Sequence, residues 1–377
     1  MRPRIVVVIG TRPEAIKLAP VVREFLLQGG FKTELVALAQ HRAMLDQALR
    51  AFGLPRPSFD FDLMRGDQSP NDVLRRTVGA MAAFLRRRRP DMLVVQGDTT
   101  AAAGAALAAF NEKVPIAHVE AGLRTRDFEN PFPEEGNRVL IDHLAALCFA
   151  PTAGARKNLL REGIAPAKII VTGNTAVDAV KWGIALTGNR KNAPWEKLGA
   201  AGSGGRLILV TLHRRESFGD PLGNIARGLK KALDEHPDVL AFYPVHPNPN
   251  VRRAAKSYFR HPRIVLGEPL GYPDFLALMR RSYAILSDSG GIQEEAPVLR
   301  KPLLVARETT ERPEILLAGG VLVGRSSRSI ASGLNRVLDD RALYKRLSSG
   351  KNPFGDGRAA RRIAAAVSRY LRGGRRS

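Results

Sequence analysis

The sequence predicts an α/β protein made of two Rossmann-like, doubly wound parallel-sheet domains, and three observations carry that reading. The chain has 377 residues, beyond the size at which a single hydrophobic core stops growing, and 44% of them are apolar, enough to fill two cores. Short apolar runs alternate with longer amphipathic stretches from one end to the other, the pattern of βα units around parallel strands. The alternation weakens once, after Gly173, and residues 186–205 carry Gly, Pro, Asn and Ser as a linker or excursion does.

In order along the chain, strands are expected at residues 5–9, 34–39, 92–96, 116–119 and 169–172, giving a first domain over residues 1–173. A second series at 207–211, 240–244, 264–266, 284–287 and 303–306 gives a second domain over 174–357. The last stretch, 358–377, has helical apolar spacing through Ile363, Val367, Tyr370 and Leu371 and is expected to pack back on the first domain. In doubly wound sheets ligands bind beyond the carboxyl ends of the strands, so two facing sheets place a site in the cleft between them.

Composition narrows the function classes. The formal charge of +23, from 59 Lys and Arg against 36 Asp and Glu, raises the question of a polyanion partner. The basic residues are dispersed, however, with local runs only at 86–89 and 361–375, and no aromatic-interleaved basic stripe or zinc-finger spacing accompanies them. A solvated basic surface that attracts anionic ligands is expected, and no nucleic-acid partner. The one cysteine, Cys148, cannot form an internal disulfide and sits in the apolar stretch 145–150, which suits packing in a reducing compartment. The N-terminal apolar run, residues 5–9, is too short for a signal peptide. The most apolar run elsewhere, 101–110, is about half of the ~20 residues that span a bilayer. A soluble, cytoplasmic protein without membrane insertion is therefore expected.

Candidate chemistry lies at the predicted strand ends. The first strand runs into Gly10-Thr11-Arg12-Pro13-Glu14, where Thr11 and Glu14 have capping-box spacing and Pro13 suits a first helical turn. Free amides at a helix start favour anions, and Arg12 and Lys17 add formal charge there; an ordinary capped helix fits equally well. In the second half, Ser287-Asp288-Ser289-Gly290-Gly291 ends a strand before a helix. Its paired glycines let the backbone approach a diphosphate closely, and Glu295, four residues beyond Gly291, lies on the same helix face, where a carboxylate can accept from both ribose hydroxyls. A glycine-containing turn followed by a surface glutamate is the alternative. Asp98, Glu120 and Glu134 follow strands of the first half and can divide acid and base roles at one substrate, or serve as helix caps and first-turn residues. His213 and His246 end strands of the second half and can donate to phosphate or shuttle protons, whereas His118 lies within a strand and reads as a satisfied core residue. The glycine fingerprint G-x-G-x-x-G, the P-loop and a zinc-type His/Cys cluster are missing, which argues for chemistry without a hydride acceptor, and neither metal nor cofactor is expected.

Taken together, residues 10–17 (GTRPEAIK), 40–42 (QHR), 97–100 (GDTT), 118–125, 213–217, 289–295 and 309–314 (TTERPE) resemble, in collinear order from residue 4 to about 370, the non-hydrolysing UDP-N-acetylglucosamine 2-epimerases. The resemblance implies the B-type glycosyltransferase fold, a homodimer, and UDP-N-acetylglucosamine and UDP as small-molecule partners. It implies that Arg12 and Lys17 approach the diphosphate, that Ser289, Gly290 and Gly291 hold it from the other domain, that Glu295 holds the ribose and that Arg312 adds charge near the nucleotide. Asp98, Glu120 and Glu134 match the family's acid–base carboxylates, and His213 matches a histidine needed near the phosphates. The implied reaction is reversible inversion at C2, giving UDP-N-acetylmannosamine for cell-surface polysaccharide synthesis. Gln40, His41, Gln68, Arg214 and His246 match the contacts of a second, activating UDP-N-acetylglucosamine in some relatives, or merely support the cleft.

Three departures bear on substrate preference. Leu212 stands before His213 where the family commonly has glycine. Leu270 replaces a position that can be polar near the nucleotide, leaving Phe275 as the packing residue near uracil, and the loop 126–132 ahead of Glu134 differs in detail. The rival readings are a hydrolysing 2-epimerase that releases N-acetylmannosamine and UDP, a 2-epimerase of a modified UDP-amino sugar, a glycosyltransferase on the same fold, and a non-enzymatic UDP-sugar sensor.

Overall fold

The computed structural model describes residues 2–38, 42–63, 68–187, 205–212, 220–245 and 249–373. The chain divides into two compact units, Met1–Trp182 with Phe354–Ser377, and Gly183–Pro353.

The first unit alternates strands Arg4–Ile9 (β1), Lys32–Ala37 (β2), Phe59–Asp60 (β3), Met92–Gln96 (β4), Ile116–Val119 (β5), Leu147–Ala150 (β6) and Ile169–Val171 (β7) with helices. The helices are Arg12–Gln28 (α1), Arg42–Ala51 (α2), Pro70–Arg88 (α3), Thr100–Asn111 (α4), Glu134–Leu144 (α5), Ala153–Arg161 (α6) and Thr175–Thr187 (α7), the last five residues of α7 falling in the second unit. All seven strands pair in parallel in the order β3-β2-β1-β4-β5-β6-β7. A parallel sheet is covered on both faces, so its strands read as continuous apolar runs, and β1 and β4 are buried along nearly their whole length. One face packs Val6, Val8, Leu93 and Val95 against Met81, Phe84 and the alanines of α4. The strands β3 and β6 are not among those the sequence predicts. β3 has two residues, and the four of β6 form too short a run to show a period.

The second unit repeats the plan with Arg206–Thr211 (β8), Asp220–Glu235 (α8), Val239–Pro244 (β9), Pro249–Tyr258 (α9), Ile264–Gly267 (β10), Tyr272–Arg281 (α10), Ala284–Ser287 (β11), Gly290–Glu295 (α11), Leu303–Val305 (β12), Gly320–Leu322 (β13), Ser327–Asp339 (α12) and Arg341–Ser349 (α13). Its parallel order is β10-β9-β8-β11-β12-β13. The core joins Ile208, Val210, Leu286 and Leu304 to Ile330, Leu334 and an edge-to-face pair of Tyr243 and Phe259 with centroids 5.2 Å apart. β13 is again a three-residue strand absent from the sequence reading.

The final helix, Ala359–Gly373 (α14), belongs to the first unit and packs against α1 through Ile363, Ala364, Val367 and Leu371, while Tyr370 of the predicted apolar stripe is exposed. Its start is fixed by Asp178 of α7, whose carboxylate accepts from the amides of Ala359 and Ala360 at 3.2 and 3.0 Å, a favourable place for negative charge at a helix N-terminus. Arg362 adds a bidentate bond to Asp356, 2.7 Å on both arms, and a bond to Thr172 O at 2.9 Å. No helix among the described residues is long and apolar enough to cross a membrane.

The Asp356 pair has a defined pH signature. Its bond to Arg362 holds the carboxyl down at about 2, below its ordinary 3.8. A depressed carboxylate contributes stability above its unfolded pKa and loses it as the pH falls through the folded value, so the window lies between about 4 and 2. Burial of Asp178 shifts that carboxyl upward, in spite of its two amide donors, with the Asp356 charge as a lesser contributor; apart from that lesser part, this opposite dependence is common to wild type and variant and cancels in their difference. The gap in urea midpoint between wild type and Asp356→Asn should therefore be constant above about pH 5 and shrink steadily between about pH 4 and 2. A gap that does not change with pH would exclude the pair as its cause.

Candidate active site

In each sheet the strand order reverses once, between β1 and β4 and between β8 and β11. Loops leaving the carboxyl ends of such a pair diverge to opposite faces of the sheet and leave a crevice that main-chain amides can line. The sequence motifs fall there: Gly10-Thr11 follows β1, Gly97-Asp98 follows β4, and Asp288 to Gly291 follows β11.

Thr11 caps α1 in a complete capping box. Glu14 accepts from the amides of Gly10 and Thr11 at 2.5 and 2.9 Å and from the Thr99 hydroxyl at 2.7 Å, so it binds the loop after β1 to the start of α4. Burial raises the Glu14 carboxyl above its usual range against the opposing pull of these donors. Arg12 opens α1 and is half-buried; Lys17, one turn further on, is buried.

Lys17 Nζ lies 2.5 Å from Glu120 Oε2, with both side chains at most 8% exposed. Asn174, immediately before α7, donates to the same oxygen at 3.0 Å while its own Oδ1 accepts from Ala176 N in the first turn of α7. Glu120 has a left-handed backbone, φ 71, a conformation that costs a residue with a Cβ about 1–2 kcal/mol. It is held there by bonds from the Glu120 and Ala121 amides to Phe149 O, both 3.1 Å. The strand-end kink aims the carboxylate at Lys17 instead of letting it continue along the β5 direction.

Asp98 is gripped by Arg138 of α5 through Nε at 3.1 Å and Nη2 at 2.5 Å. The third guanidinium nitrogen reaches Glu135 at 2.8 Å, and Glu135 in turn accepts from the amides of Thr125 and Arg126. Asn137 donates to Asp98 O at 2.9 Å. Neither Asp98 nor Glu120 is a helix cap: Thr99 caps α4, and Glu120 lies in a turn. Glu134 is the first residue of α5, half-buried, after two cis peptide bonds at Asn130-Pro131 and Phe132-Pro133.

His118 is fully buried, as a core histidine should be, with Nδ1 2.6 Å from Asp142 Oδ1 and Nε2 2.8 Å from Gly97 O. Asp142 also accepts from Gly122 N at 3.1 Å and Arg124 Nη2 at 2.7 Å. Burial alone would raise the Asp142 carboxyl; the adjoining His118 and Arg124 override it and hold it below its usual range. Cys148 packs here, its thiol pushed up to about 12 by burial.

In the second unit, Ser287 Oγ accepts from Ser289 N at 3.0 Å and from the Thr211 hydroxyl at 2.6 Å, which shapes the turn into α11. Arg312 bonds Glu294 and Glu311, both at 2.5 Å, and Arg307 completes the cluster by reaching Glu311 at 2.7 Å. The Arg312 guanidinium lies so close to Gly290 that a Cβ there would come within 2.7 Å of Nη1. This is the physical reason for glycine at that position. Glu295 accepts from the Tyr272 hydroxyl at 3.0 Å and is 8% exposed. Phe275 is half-buried in the first turn of α10, and Leu270 is buried.

Gln68 bonds Leu63 O at 3.4 Å. Gln40, His41, His213, Arg214 and His246 lie outside the described residues. Among the described residues no group of three or more His, Cys, Asp and Glu side chains is placed to hold a metal ion. The sequence reading did not single out Arg138, Asn174, Tyr272 or Glu294. Arg138 carries a signal, since it lies four residues after Glu134 and so on the same helix face. Tyr272, 23 positions from Glu295, carries none.

Removing one member of a buried ion pair strands the other, at a cost of roughly 3–5 kcal/mol. Lys17→Met is therefore expected to destabilise the first unit by about that amount, and Lys17→Met with Glu120→Gln by distinctly less, because no bare carboxylate remains. Chemical denaturation of the single and double variants measures the coupling; additive losses would show the pair to be uncoupled.

The comparisons with known proteins agree with this architecture. A family model described as UDP-N-acetylglucosamine 2-epimerase matches residues 24–368. The UDP-N-acetylglucosamine 2-epimerase of Salmonella typhimurium is 44% identical over 97% of this chain and 99% of its own length. The S. aureus MnaA protein solved with UDP superposes with a TM-score of 0.93 at 40% identity, covering 98% of this chain and 97% of that one. The Neisseria meningitidis UDP-GlcNAc 2-epimerase solved with UDP-GlcNAc gives 0.91 at 37% identity, over 97% and 100%. A glycosyltransferase at 13% identity, with a TM-score of 0.63, shares the fold alone. With its two parallel-sheet units in the B-type glycosyltransferase fold and a match that spans nearly its whole length, this chain belongs to the UDP-N-acetylglucosamine 2-epimerase family.

Proposed function

We propose that the protein epimerises C2 of UDP-N-acetylglucosamine reversibly to UDP-N-acetylmannosamine without net hydrolysis, through elimination and re-addition of UDP. The observation that carries this reading is the pair of carboxylates at the ends of adjacent strands. Asp98 and Glu120 are each held by a basic side chain that is itself buried, Arg138 and Lys17.

The C2 hydrogen is not beside a carbonyl, so a base cannot exchange it directly. As the C1–O bond breaks, its electron pair leaves with the diphosphate and cationic character develops at the ring. Loss of the C2 proton to a carboxylate then gives 2-acetamidoglucal and UDP. Delivery of a proton to the opposite face of C2, with attack of the UDP oxygen at C1, completes the inversion and restores the ester. Two faces of one carbon require two proton-handling groups, and Asp98, Glu120 and Glu134 supply them. The first two are cation-paired, and the half-buried Glu134 is the remaining member of the set.

The developing diphosphate charge needs fixed donors. In the first unit these are Arg12 and Lys17, whose ammonium also bonds Glu120. In the second they are the backbone of Ser289, Gly290 and Gly291 and the side chain of His213, with Glu295 on the ribose and Phe275 beside uracil. The buried cluster around Arg312 supports the turn. The bound UDP and UDP-GlcNAc of the S. aureus and N. meningitidis relatives support this use of the fold. We further propose a cytoplasmic homodimer that supplies an amino-sugar nucleotide for cell-surface polysaccharide.

Incubation with UDP-N-acetylglucosamine in deuterated water, followed by proton and phosphorus NMR, should show the manno epimer, solvent deuterium at C2 and an intact diphosphate ester. Accumulation of free N-acetylmannosamine and UDP would replace this reading with a hydrolysing epimerase. No turnover at all would point to a modified amino sugar or to a sensor. Asp98→Asn is expected to lower turnover by about 10²-fold or more in a protein that still binds UDP; wild-type turnover in that variant would remove Asp98 from the mechanism.

A further inference from the structure

We propose that His118 is a positioning residue of the proton-transfer apparatus: its two ring nitrogens clamp the loop that carries Asp98 to the loop that carries Glu120. The inference rests on the carboxylate roles assigned above, but its structural content can be tested without them.

The geometry ties two strand ends and helix α5 through one side chain. Nε2 faces Gly97 O at 2.8 Å, and Gly97 immediately precedes Asp98. Nδ1 faces Asp142 Oδ1 at 2.6 Å, and the other oxygen of Asp142 accepts from Gly122 N, two residues beyond Glu120. His118 itself lies two residues before Glu120 on β5. One imidazole and one carboxylate therefore pin the backbone on both sides of Glu120 and next to Asp98.

Hydrogen-bond chemistry makes the clamp specific to histidine. A carbonyl oxygen only accepts, so Nε2 must present a proton to Gly97 O. Asp142 already receives Arg124 and Gly122 N and acts as a carboxylate, so Nδ1 must present a proton as well. No other planar side chain of this size offers two donors in opposed directions. Gln reproduces the reach of Nε2, Asn that of Nδ1, and Phe neither.

The clamp acts just past the paired residues of β4 and β5, where it adds to three backbone bonds, Gly97 N to Val119 O and the Glu120 and Ala121 amides to Phe149 O, each 3.1 Å. Gly97, Glu120 and Gly122 all have left-handed conformations, φ 72, 71 and 86, and of these only the glycines adopt it without cost. The sheet ladder ends at this point, since the last β4–β5 partners are Gln96 and Val119. The His118 and Asp142 side-chain bonds therefore join the backbone bonds in setting the separation of the two loops. Near the reacting atoms, an error of about 1 Å costs about 10²-fold in rate.

The test compares His118→Gln, His118→Asn and His118→Phe with wild type by steady-state epimerisation, UDP affinity, melting temperature and hydrogen exchange of peptides covering 97–100 and 119–124. His118→Phe should lower kcat by about 10- to 100-fold while KM and UDP affinity stay within about threefold, and exchange should rise in both loops but not in 284–295. His118→Gln, which keeps the donor to Gly97 O, should lose less kcat than His118→Asn. If His118→Phe does not fold, the order of Gln and Asn decides: wild-type kcat in both overturns the proposal. So does unchanged exchange in the two loops, or a loss of kcat that merely tracks melting temperature and KM. Should wild type fail to epimerise, the functional reading fails, and the exchange data still decide whether the clamp exists.

Discussion

Carboxylates withdrawn from water at the ends of the parallel strands and in α5 have to be compensated, and much of the first unit is organised around meeting that requirement. Taking an ion out of water costs several kcal/mol after relaxation, and mutual attraction offsets this only where geometry is close and remaining lone pairs are filled. Glu120 meets Lys17 and Asn174, Asp98 meets Arg138, and Asp142 meets His118, Arg124 and Gly122 N. The partners come from α1, α5, β5 itself and the loops after β5 and β7. Each pair thus fixes one peripheral element to the sheet edge, and together the pairs hold the loops that apolar packing leaves unspecified. Hydrophobic burial holds the strands; ion pairs place what projects from their ends.

The second unit uses the same device for another purpose. Two arginines and two glutamates, Arg307, Arg312, Glu294 and Glu311, compensate each other behind the turn from Ser289 to Gly291. The charge on Arg312 is therefore spent largely on α11 and its neighbouring loop, and its guanidinium occupies the volume that a side chain at position 290 would need. A turn braced in this way presents its amides in a fixed direction, which is what electrostatic stabilisation of a departing diphosphate requires, since donors that need not reorganise are worth more than mobile ones.

The two uses fit one chemistry. Proton transfer at both faces of a carbon needs groups whose separation is set to a fraction of an ångström, whereas binding of a diphosphate needs an array of donors. The carboxylates stand on kinked strand ends that are cross-tied by side chains, and the proposed phosphate cradle stands on a glycine turn. Leu212, buried where the family commonly has glycine, lies at the edge of the second region, and its carbonyl accepts from the buried Tyr243 hydroxyl at 2.5 Å. That bond gives the carbonyl a satisfied interior position with a larger side chain in place.

The residues alone determined the α/β class, two parallel sheets, ten of the strands to within a residue or two, and the family. These follow from local signals, because buried parallel strands are continuous apolar runs and binding motifs are contiguous in sequence. The short strands β3, β6 and β13 escaped because two to four residues show no period. Motif position also placed Asp98 and Glu120 after the strands they follow and Glu295 in the helix after Ser289. What each of them touches was decided by tertiary structure only: Lys17 finds Glu120 across 103 positions, Arg138 finds Asp98 across 40, and Tyr272 finds Glu295 across 23. The physical reason is that a buried charge is satisfied by whichever partner the packed sheet brings within about 3 Å, and that distance is a property of strand order and register, which no local stretch of sequence contains.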